Sequence, residues 1–280
     1  MYVWIDAVLG YITATMKCCE ERGLNYEDYW KENIEKNQDM YMVHGKDNIV
    51  FHTIIFPGLL IALDSNFKFP NKIVSTEYLN FNNQKFSKSK GIGLTILEAM
   101  DIYDVNTLRF HLIKNGPENK DSNFTEEEYL ATHNEVNNKL GNFINRTLKY
   151  KGLENIPNGN MDLEIKEYLE NVYTEVANLI EKNEFRNYTL KIIEVLDFAN
   201  KYYDEQKTWV LNKENKEEFD NVMYTCTNII ANLSNLIAPL MPEIANKINN
   251  YIAKEENTWN YVEVNKGLKL QDIKPLFERK

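Results

Sequence analysis

Cysteine is scarce in this chain, with only Cys18, Cys19 and Cys226 among 280 residues. Two of them are adjacent and no Cys-x-x-Cys occurs, so neither a thiolate zinc site nor a disulfide framework is predicted. That usage suits a reducing cytosol. No basic segment precedes an apolar run near Met1, so a secretory leader is not expected. The longest apolar run, Ile54 to Leu63, is too short to span a bilayer and contains Pro57 and Gly58, so no membrane partner is expected. Internal repeats and low-complexity segments are absent. Basic residues are outnumbered, 32 Lys and Arg against 42 Asp and Glu, for a net charge of −10. This excludes a uniformly basic nucleic-acid binder and leaves room for local basic patches. The remaining composition is that of a soluble globular protein, long enough for one or two domains.

One local absence is more informative. No acidic residue lies between Tyr78 and Leu97, and inside that window stands Lys85-Phe86-Ser87-Lys88-Ser89-Lys90-Gly91, followed by Ile92-Gly93. Lysines supply charge, hydroxyls and backbone N–H groups supply donors, and glycines let the backbone come close to a phosphate. Ile73 to Thr76 and Tyr78 to Phe81 read as strands leading into the loop, with Asn82-Asn83 as the turn. The plain alternative is a solvated, charged hairpin tip.

The chain begins with Tyr2-Val3-Trp4-Ile5, predicted as a short buried strand. Asp6 is placed as the cap of a helix running to Arg22, which Gly23 ends. Trp4, Ala7 and Tyr11 share one face of that helix, either as a core stripe or as the wall of a pocket. Tyr26 to Asn33 is predicted as a short helix and Asp39 to His44 as a strand. Gly45-Lys46-Asp47 makes a turn, and a helix over Asn48 to Leu63 is kinked near Pro57. A buried strand, a glycine turn and a helix make half of a βαβ unit, whose ligands sit at the carboxyl ends of the strands. Gly45 and Asp47 stand there, although Asp47 also suits a helix cap. His52 is either packed or functional.

Two short helices, Thr95 to Met100 and Asp104 to Lys114, precede a polar segment around Gly116-Pro117. We place a domain boundary there, giving 1–116 and 117–280. Beyond it the pattern is helical throughout. Thr125 with Glu128 starts a helix reaching about Tyr150, and further helices are predicted over 162–182, 185–203, 216–236 and 242–254. A stripe of Leu190, Ile193, Leu196 and Phe198 faces the core of the third. The predicted architecture is α/β followed by all-α: part of a Rossmann-like nucleotide-binding domain, then a helical bundle.

Several blocks resemble one family. Lys85-Phe86-Ser87-Lys88-Ser89 is similar to the KMSKS signature of class I aminoacyl-tRNA synthetases, with Phe86 in place of its methionine. Val3-Trp4-Ile5-Asp6-Ala7 with Tyr11, Gly45-Lys46-Asp47 with Phe51-His52, and Asp204-Glu205-Gln206-Lys207-Thr208-Trp209 resemble the methionyl branch. Asn142 and Arg146 match its anticodon-reading helix in type and spacing. Val8 stands where many relatives have proline. No HIGH-type motif occurs. The resemblance therefore implies the C-terminal part of a methionyl-tRNA synthetase, half of the catalytic domain plus the anticodon-binding bundle.

The resemblance implies ATP with Mg²⁺ as cofactors, and methionine and tRNA(Met) as partners, with a separate N-terminal half as a further partner. Lys85, Ser87, Lys88 and Ser89 would act on the pyrophosphate, and Gly45, Asp47 and Lys88 would bind ATP. Trp4, Ala7, Tyr11 and His52 would line the methionine site, the Tyr11 hydroxyl facing the sulfur. Asn142, Arg146 and Trp209 would read the anticodon. Taken without the resemblance, Trp209 is a buried tryptophan and Arg146 a surface arginine. Three readings stay open: a ligase in truncated or split form, a tRNA-anticodon binder without catalysis, and an inert gene remnant. A cytoplasmic location is expected, and the chain alone is expected not to activate methionine.

Overall fold

The computed structural model describes residues 3–32, 39–64 and 66–277. They fall into two units, Met1–Leu79 with Pro117–Ser122, and Asn80–Gly116 with Asn123–Lys280.

In the first unit, helix α1 (Val3–Arg22) starts three residues earlier than Asp6 predicts. Val3, Trp4 and Ile5 are therefore helical, not a strand, and Asp6 sits in the first turn; Tyr2 lies outside the described residues. Val8 and Ile12, one turn apart, are the core face, and their burial outweighs the strand propensity of the three preceding side chains. Gly23 ends the helix with φ of 65°. Helix α2 (Glu27–Trp30) is shorter than predicted, and Asn33, the last residue of that prediction, lies outside the described residues.

Strands β1 (Tyr41–Gly45) and β2 (Lys72–Thr76) pair in parallel, in register from Tyr41 with Lys72 to Gly45 with Thr76. The stretch between them, Lys46–Leu63, has the length and apolarity of a bilayer-crossing segment. Its two ends are held by paired parallel strands, so it is the crossover of a βαβ unit. It opens with a 3₁₀ turn at Lys46–Asn48 and widens into a π turn over Phe51–Ile55. Helix α3 (Phe56–Leu63) follows. Pro57 is its second residue, directly after the π turn, so the missing N–H falls where the helical ladder changes register. The core here is small: Val8, Ile12, Trp30, Phe56, Leu60 and Phe67.

The second unit opens on a hairpin. Strands β3 (Leu79–Phe81) and β4 (Gln84–Lys85) are joined by Asn82 and Asn83, both left-handed at φ of 48° and 61°, as a two-residue hairpin turn requires. Helix α4 (Ile96–Ile102) carries a full capping box from Thr95 and Glu98, and Asp104 caps α5 (Val105–Lys114). Strand β5 (Ser122–Phe124) covers the other edge of β3.

The bundle follows. Helix α6 (Glu126–Val136) is capped by Thr125, passes through a π turn at Asn137–Gly141 and continues as α7 (Asn142–Leu148). Then come α8 (Leu163–Glu181), α9 (Phe185–Glu205), α10 (Thr208–Glu214), α11 (Lys216–Ile237) and α12 (Pro242–Tyr251). Helix α10 has no counterpart in the sequence reading. In α9 the core stripe is Ile192, Ile193, Val195, Leu196 and Ala199, whereas Leu190 is exposed.

Helix α11 is the bundle's axis, buried from Val222 to Ile237. Three of its buried amides replace a strand edge. Asn228 accepts from Val264 N at 2.8 Å, Asn232 accepts from and donates to Val262, and Asn235 accepts from Thr258 N. Thr258 to Val264 are thus held by side chains of α11, while Gly267 to Leu270 pair backbone to backbone with Glu154 and Ile156.

Candidate active site

In the first unit the candidate site is built from α1 and the start of the crossover. Ala7 and Tyr11 are exposed and Trp4 is half-buried, because the core side of α1 is taken by Val8 and Ile12. The core-stripe alternative for these three residues therefore falls. Trp4 stacks on Phe51, with centroids 4.2 Å apart and planes at 16°.

His52 is buried, and its ring is oriented from both sides. Its Nδ1–H donates to the Asn48 carbonyl at 2.9 Å, which leaves Nε2 to accept from the Tyr11 hydroxyl at 3.1 Å. The Tyr11 proton thus points at His52, and the hydroxyl offers a ligand its lone pairs. His44, at the end of β1, stacks on His52 at 4.4 Å.

Gly45 and Asp47 lie at the carboxyl end of β1, both exposed. Gly45 has φ of −72° and ψ of 156°, an extended conformation that does not itself require glycine. Asp47 makes no side-chain cap; its carboxylate instead accepts from the Tyr78 hydroxyl. That bond pushes the Tyr78 phenol above its ordinary range. The Lys46 ammonium sits 4.1 Å from the centre of the Tyr78 ring and pairs with Glu77 and, at 3.2 Å, with Asp121. Its pKa is raised, first by the Glu77 hydrogen bond. Asp121 also accepts from Tyr78 N at 3.0 Å, and this bond leads the causes holding its carboxyl below the usual range. Tyr78, Glu77 and Asp121 carry no motif of their own, and only the fold reveals them as the setting of Asp47.

In the second unit the lysine loop is a short, self-closed turn. Ser87 and Ile92 exchange backbone hydrogen bonds at 3.0 Å in each direction. A 3₁₀ turn spans Lys88–Lys90, and Gly91 closes it at φ of 63°. Gly93 has φ of 112°, and a Cβ there would stand 2.2 Å from the Phe86 ring. Phe86, in the methionine position of the motif, packs over Gly93 and against Phe81, with centroids 5.7 Å apart. Lys85, Lys88 and Ser89 are exposed, Ser87 is half-buried, and the Ser87 and Ser89 hydroxyls are 3.3 Å apart. Among the described residues Lys88 and Lys90 form no ion pair, so their charge faces solvent uncompensated.

The bundle supplies the third group. Asn142 begins α7 and is exposed. Arg146, one turn later, pairs with Asp204 at the end of α9, and its guanidinium lies 4.4 Å from the Tyr203 ring centre. It is a tethered side chain, not a loose surface arginine. Trp209, in the first turn of α10, is 53% exposed, so the buried-tryptophan alternative falls as well. Lys207 is left-handed at φ of 45°, and this turn sends Thr208 inward and Trp209 outward. Tyr150, one turn past Arg146, bonds the Thr208 carbonyl at 3.4 Å, which ties α10 to the end of α7.

The chain is similar along its whole length to known proteins. Residues 1–148 match the family model described as tRNA synthetases class I (M), which defines the class. Residues 154–274 match the model described as the anticodon binding domain of methionyl tRNA ligase. The chain belongs to the methionyl-tRNA synthetase family. It is 38% identical over 283 aligned residues to a methionine–tRNA ligase of Streptococcus pneumoniae, and 35% identical over 285 to one of Bacillus cereus. Each alignment covers 100% of this chain and 51% of the relative. The chain therefore spans about half the length of the curated relatives it matches. Among solved structures, Mycobacterium tuberculosis methionyl-tRNA synthetase bound by methionyl-adenylate superposes with a TM-score of 0.83 at 25% identity, covering 99% of this chain and 56% of that one.

Proposed function

We propose that this chain is part of a cytoplasmic methionine–tRNA ligase, carrying its pyrophosphate loop, the wall of its methionine site and its anticodon-reading face. The functional division falls at 116/117, with adenylate chemistry before it and tRNA recognition after it. The observation that carries the reading is the lysine loop. Lys88 and Lys90 are held on a short closed turn behind a hairpin, with no carboxylate to neutralise them among the described residues.

In the reaction the methionine carboxylate attacks the α-phosphorus of ATP, the bond to the bridging oxygen breaks, and pyrophosphate leaves with the electron pair. Lys85 and Lys88 stabilise the charge that develops on that leaving group, and Ser87 and Ser89 donate to its oxygens. Gly45 and Asp47 take the adenosine ribose, carboxylate to hydroxyl. Trp4, Ala7, Tyr11 and His52 wall the methionine side chain, where aromatic contacts to a thioether are worth about 0.3–1.5 kcal/mol each. Among the described residues no three His, Cys, Asp or Glu side chains could together hold a metal. Mg²⁺ would accompany ATP, held by its phosphates. The methionyl group then passes from the adenylate to the 3′-terminal adenosine of tRNA(Met), releasing AMP. Asn142 and Arg146 hydrogen-bond to anticodon base edges, and Trp209 offers a stacking platform.

The test is titration of the chain with tRNA bearing a CAU anticodon, against an anticodon-swapped control, at two salt concentrations. Preference for CAU is expected, with affinity that falls as salt rises. Trp209→Ala should weaken CAU binding by roughly 1–3 kcal/mol. Equal affinity for the two tRNAs, unmoved by Trp209→Ala, refutes the anticodon assignment. Binding with no methionine-dependent ATP–pyrophosphate exchange when the other half of the fold is supplied would favour a non-catalytic anticodon binder.

A further inference from the structure

In the bundle, helix α8 and residues 259–261 leave a cleft of about 410 Å³ between them, within the size range of small-ligand sites. Its α8 side is Glu170, Thr174, Ala177 and Asn178, which share one face of the helix. Thr174 and Ala177 are short side chains, so the helix and the segment do not close on each other here.

The opposite wall is aromatic and is held in place from beneath. Trp259 is 37% exposed and meets Tyr173 edge to face, with centroids 6.0 Å apart and planes at 86°. The Tyr173 hydroxyl is turned inward: it donates to Asn232 Oδ1 at 3.0 Å and accepts from Asn235 Nδ2 at 2.9 Å. Only its ring is left to the cleft. Asn235 Nδ2 also donates to the Asn260 carbonyl at 3.2 Å, and Val262 N donates to Asn232 Oδ1 at 3.0 Å. Two side chains of α11 thus set the position of Trp259 and Tyr261.

The fixed charge in the cleft is of one sign. Glu170 is exposed and forms no ion pair among the described residues. Lys166, one turn earlier, is paired with Glu263 at 3.2 Å, and its ammonium lies 5.1 Å from the centre of the Tyr261 ring. Burial pushes the Tyr261 phenol up and Glu170 is among the charges that add to the rise, so that carboxylate stands close to the aromatic wall.

We propose that this cleft binds a primary alkylammonium ion, its ammonium donating to Glu170 and lying over Trp259, its chain running along Thr174 and Ala177. An unpaired carboxylate beside an aromatic face selects for a cation, and the attraction grows as the ring and the ligand exclude water. The side-chain amides of Asn178 and Asn260 offer further acceptor oxygens, which favours an ammonium with N–H groups over a quaternary one. An amine that carries its own carboxylate beside the ammonium is repelled by Glu170, so free amino acids are not the ligand. None of these residues belongs to the groups assigned to the ligase reaction or to the anticodon, and the proposal stands apart from that reading.

The experiment titrates the full chain with n-hexylamine and follows the indole N–H signals of its four tryptophans by ¹⁵N NMR. The Trp259 signal, assigned with Trp259→Phe, should move and saturate while those of Trp4, Trp30 and Trp209 stay. Affinity should fall as salt rises. Glu170→Gln should weaken binding about fivefold with the melting temperature unchanged, since the carboxylate it replaces is exposed and unpaired. Trp259→Leu should weaken it about threefold. Hexanol and hexanoate, which have the same chain without the positive charge, should leave the Trp259 signal in place. The proposal is overturned by a Trp259 signal that does not move, by hexanol binding as well as the amine, or by an affinity that Glu170→Gln leaves unchanged. It is equally overturned if lysine blocked at both its α-amino and carboxyl groups binds more tightly than hexylamine, which would assign the cleft to a side chain of another protein.

Discussion

The Tyr78 hydroxyl donates to both carboxylate oxygens of Asp47, at 2.6 and 2.7 Å. One phenol thus fixes the orientation of the carboxylate proposed to meet the ribose. Lys46 steadies the phenol from its ring face, and Asp121 holds its backbone N–H. Tyr78→Phe leaves the ring and removes the bond. In the enzyme assembled with its other half, the KM for ATP should rise about fivefold, the worth of one hydrogen bond to a charged group in an exposed place. The KM for methionine should stay as it was. ATP–pyrophosphate exchange measures both, and a parallel rise in the two constants would show that Tyr78 supports the unit as a whole.

Much of this was legible from the residues. Asn82-Asn83 announced the hairpin, Thr95 and Asp104 announced two helix starts, and the bundle's helices followed the apolar period, because each of these signals is local. Val3-Trp4-Ile5 misled, since three strand-forming side chains were drawn into a helix by burial of Val8 and Ile12 in the next turns. Helix α10 went unseen because it is seven residues long and starts from a left-handed lysine, which no propensity announces. At the site, motif residues were visible and their partners were not. Tyr78 reaches Asp47 across 31 residues and Asp204 reaches Arg146 across 58, distances at which only the folded chain makes neighbours.

Lys88 is the loop residue on which the chemistry should depend most. Its side chain is exposed and unpaired among the described residues, so Lys88→Ala costs the fold nothing that packing can register. Loss of one donor to the developing charge typically costs about 3–4 kcal/mol in the transition state. In the assembled enzyme, adenylate formation should fall several-hundredfold, with methionine affinity nearly unchanged. Pre-steady-state kinetics together with methionine titration would separate the two. Comparable losses in both would make Lys88 a ground-state contact.

Arg146 carries two interactions, a pair with the exposed Asp204 and a stack on Tyr203. Partly exposed ion pairs contribute about 0.2–1 kcal/mol, and an exposed cation–π contact about 0.5–1 kcal/mol. Arg146→Ala should therefore destabilise the chain by no more than about 2 kcal/mol in urea unfolding. Its effect on CAU-tRNA affinity should remain when the comparison is made well below the melting temperature. A binding loss that merely tracks unfolding would return Arg146 to a structural role.

His111 sets a pH dependence that belongs to the second unit. Its ring is fully buried on α5. Nδ1 lies 2.8 Å from Thr132 Oγ1 and 3.1 Å from the Asn115 side-chain nitrogen, and Phe124 and Tyr129 meet the ring at 5.3 and 6.0 Å. Burial among these rings disfavours the charged imidazolium and holds the ring neutral. Burial, helped by the Lys114 charge, pushes its pKa down from 6.5 to about 4. The unfolded chain therefore binds a proton that the folded chain refuses between those two values, and stability falls as pH falls through that window. The full shift corresponds to roughly 3 kcal/mol, of which about 2 kcal/mol is lost between pH 7 and pH 5. Carboxylates such as Asp121 titrate lower and add their own loss further down. His111→Gln keeps a polar, neutral side chain without the titration. Urea unfolding of both proteins at pH 7 and pH 5 should show the wild type losing about 2 kcal/mol more than the variant. Equal losses would mean that His111 is reached by water and protonates freely in the folded chain.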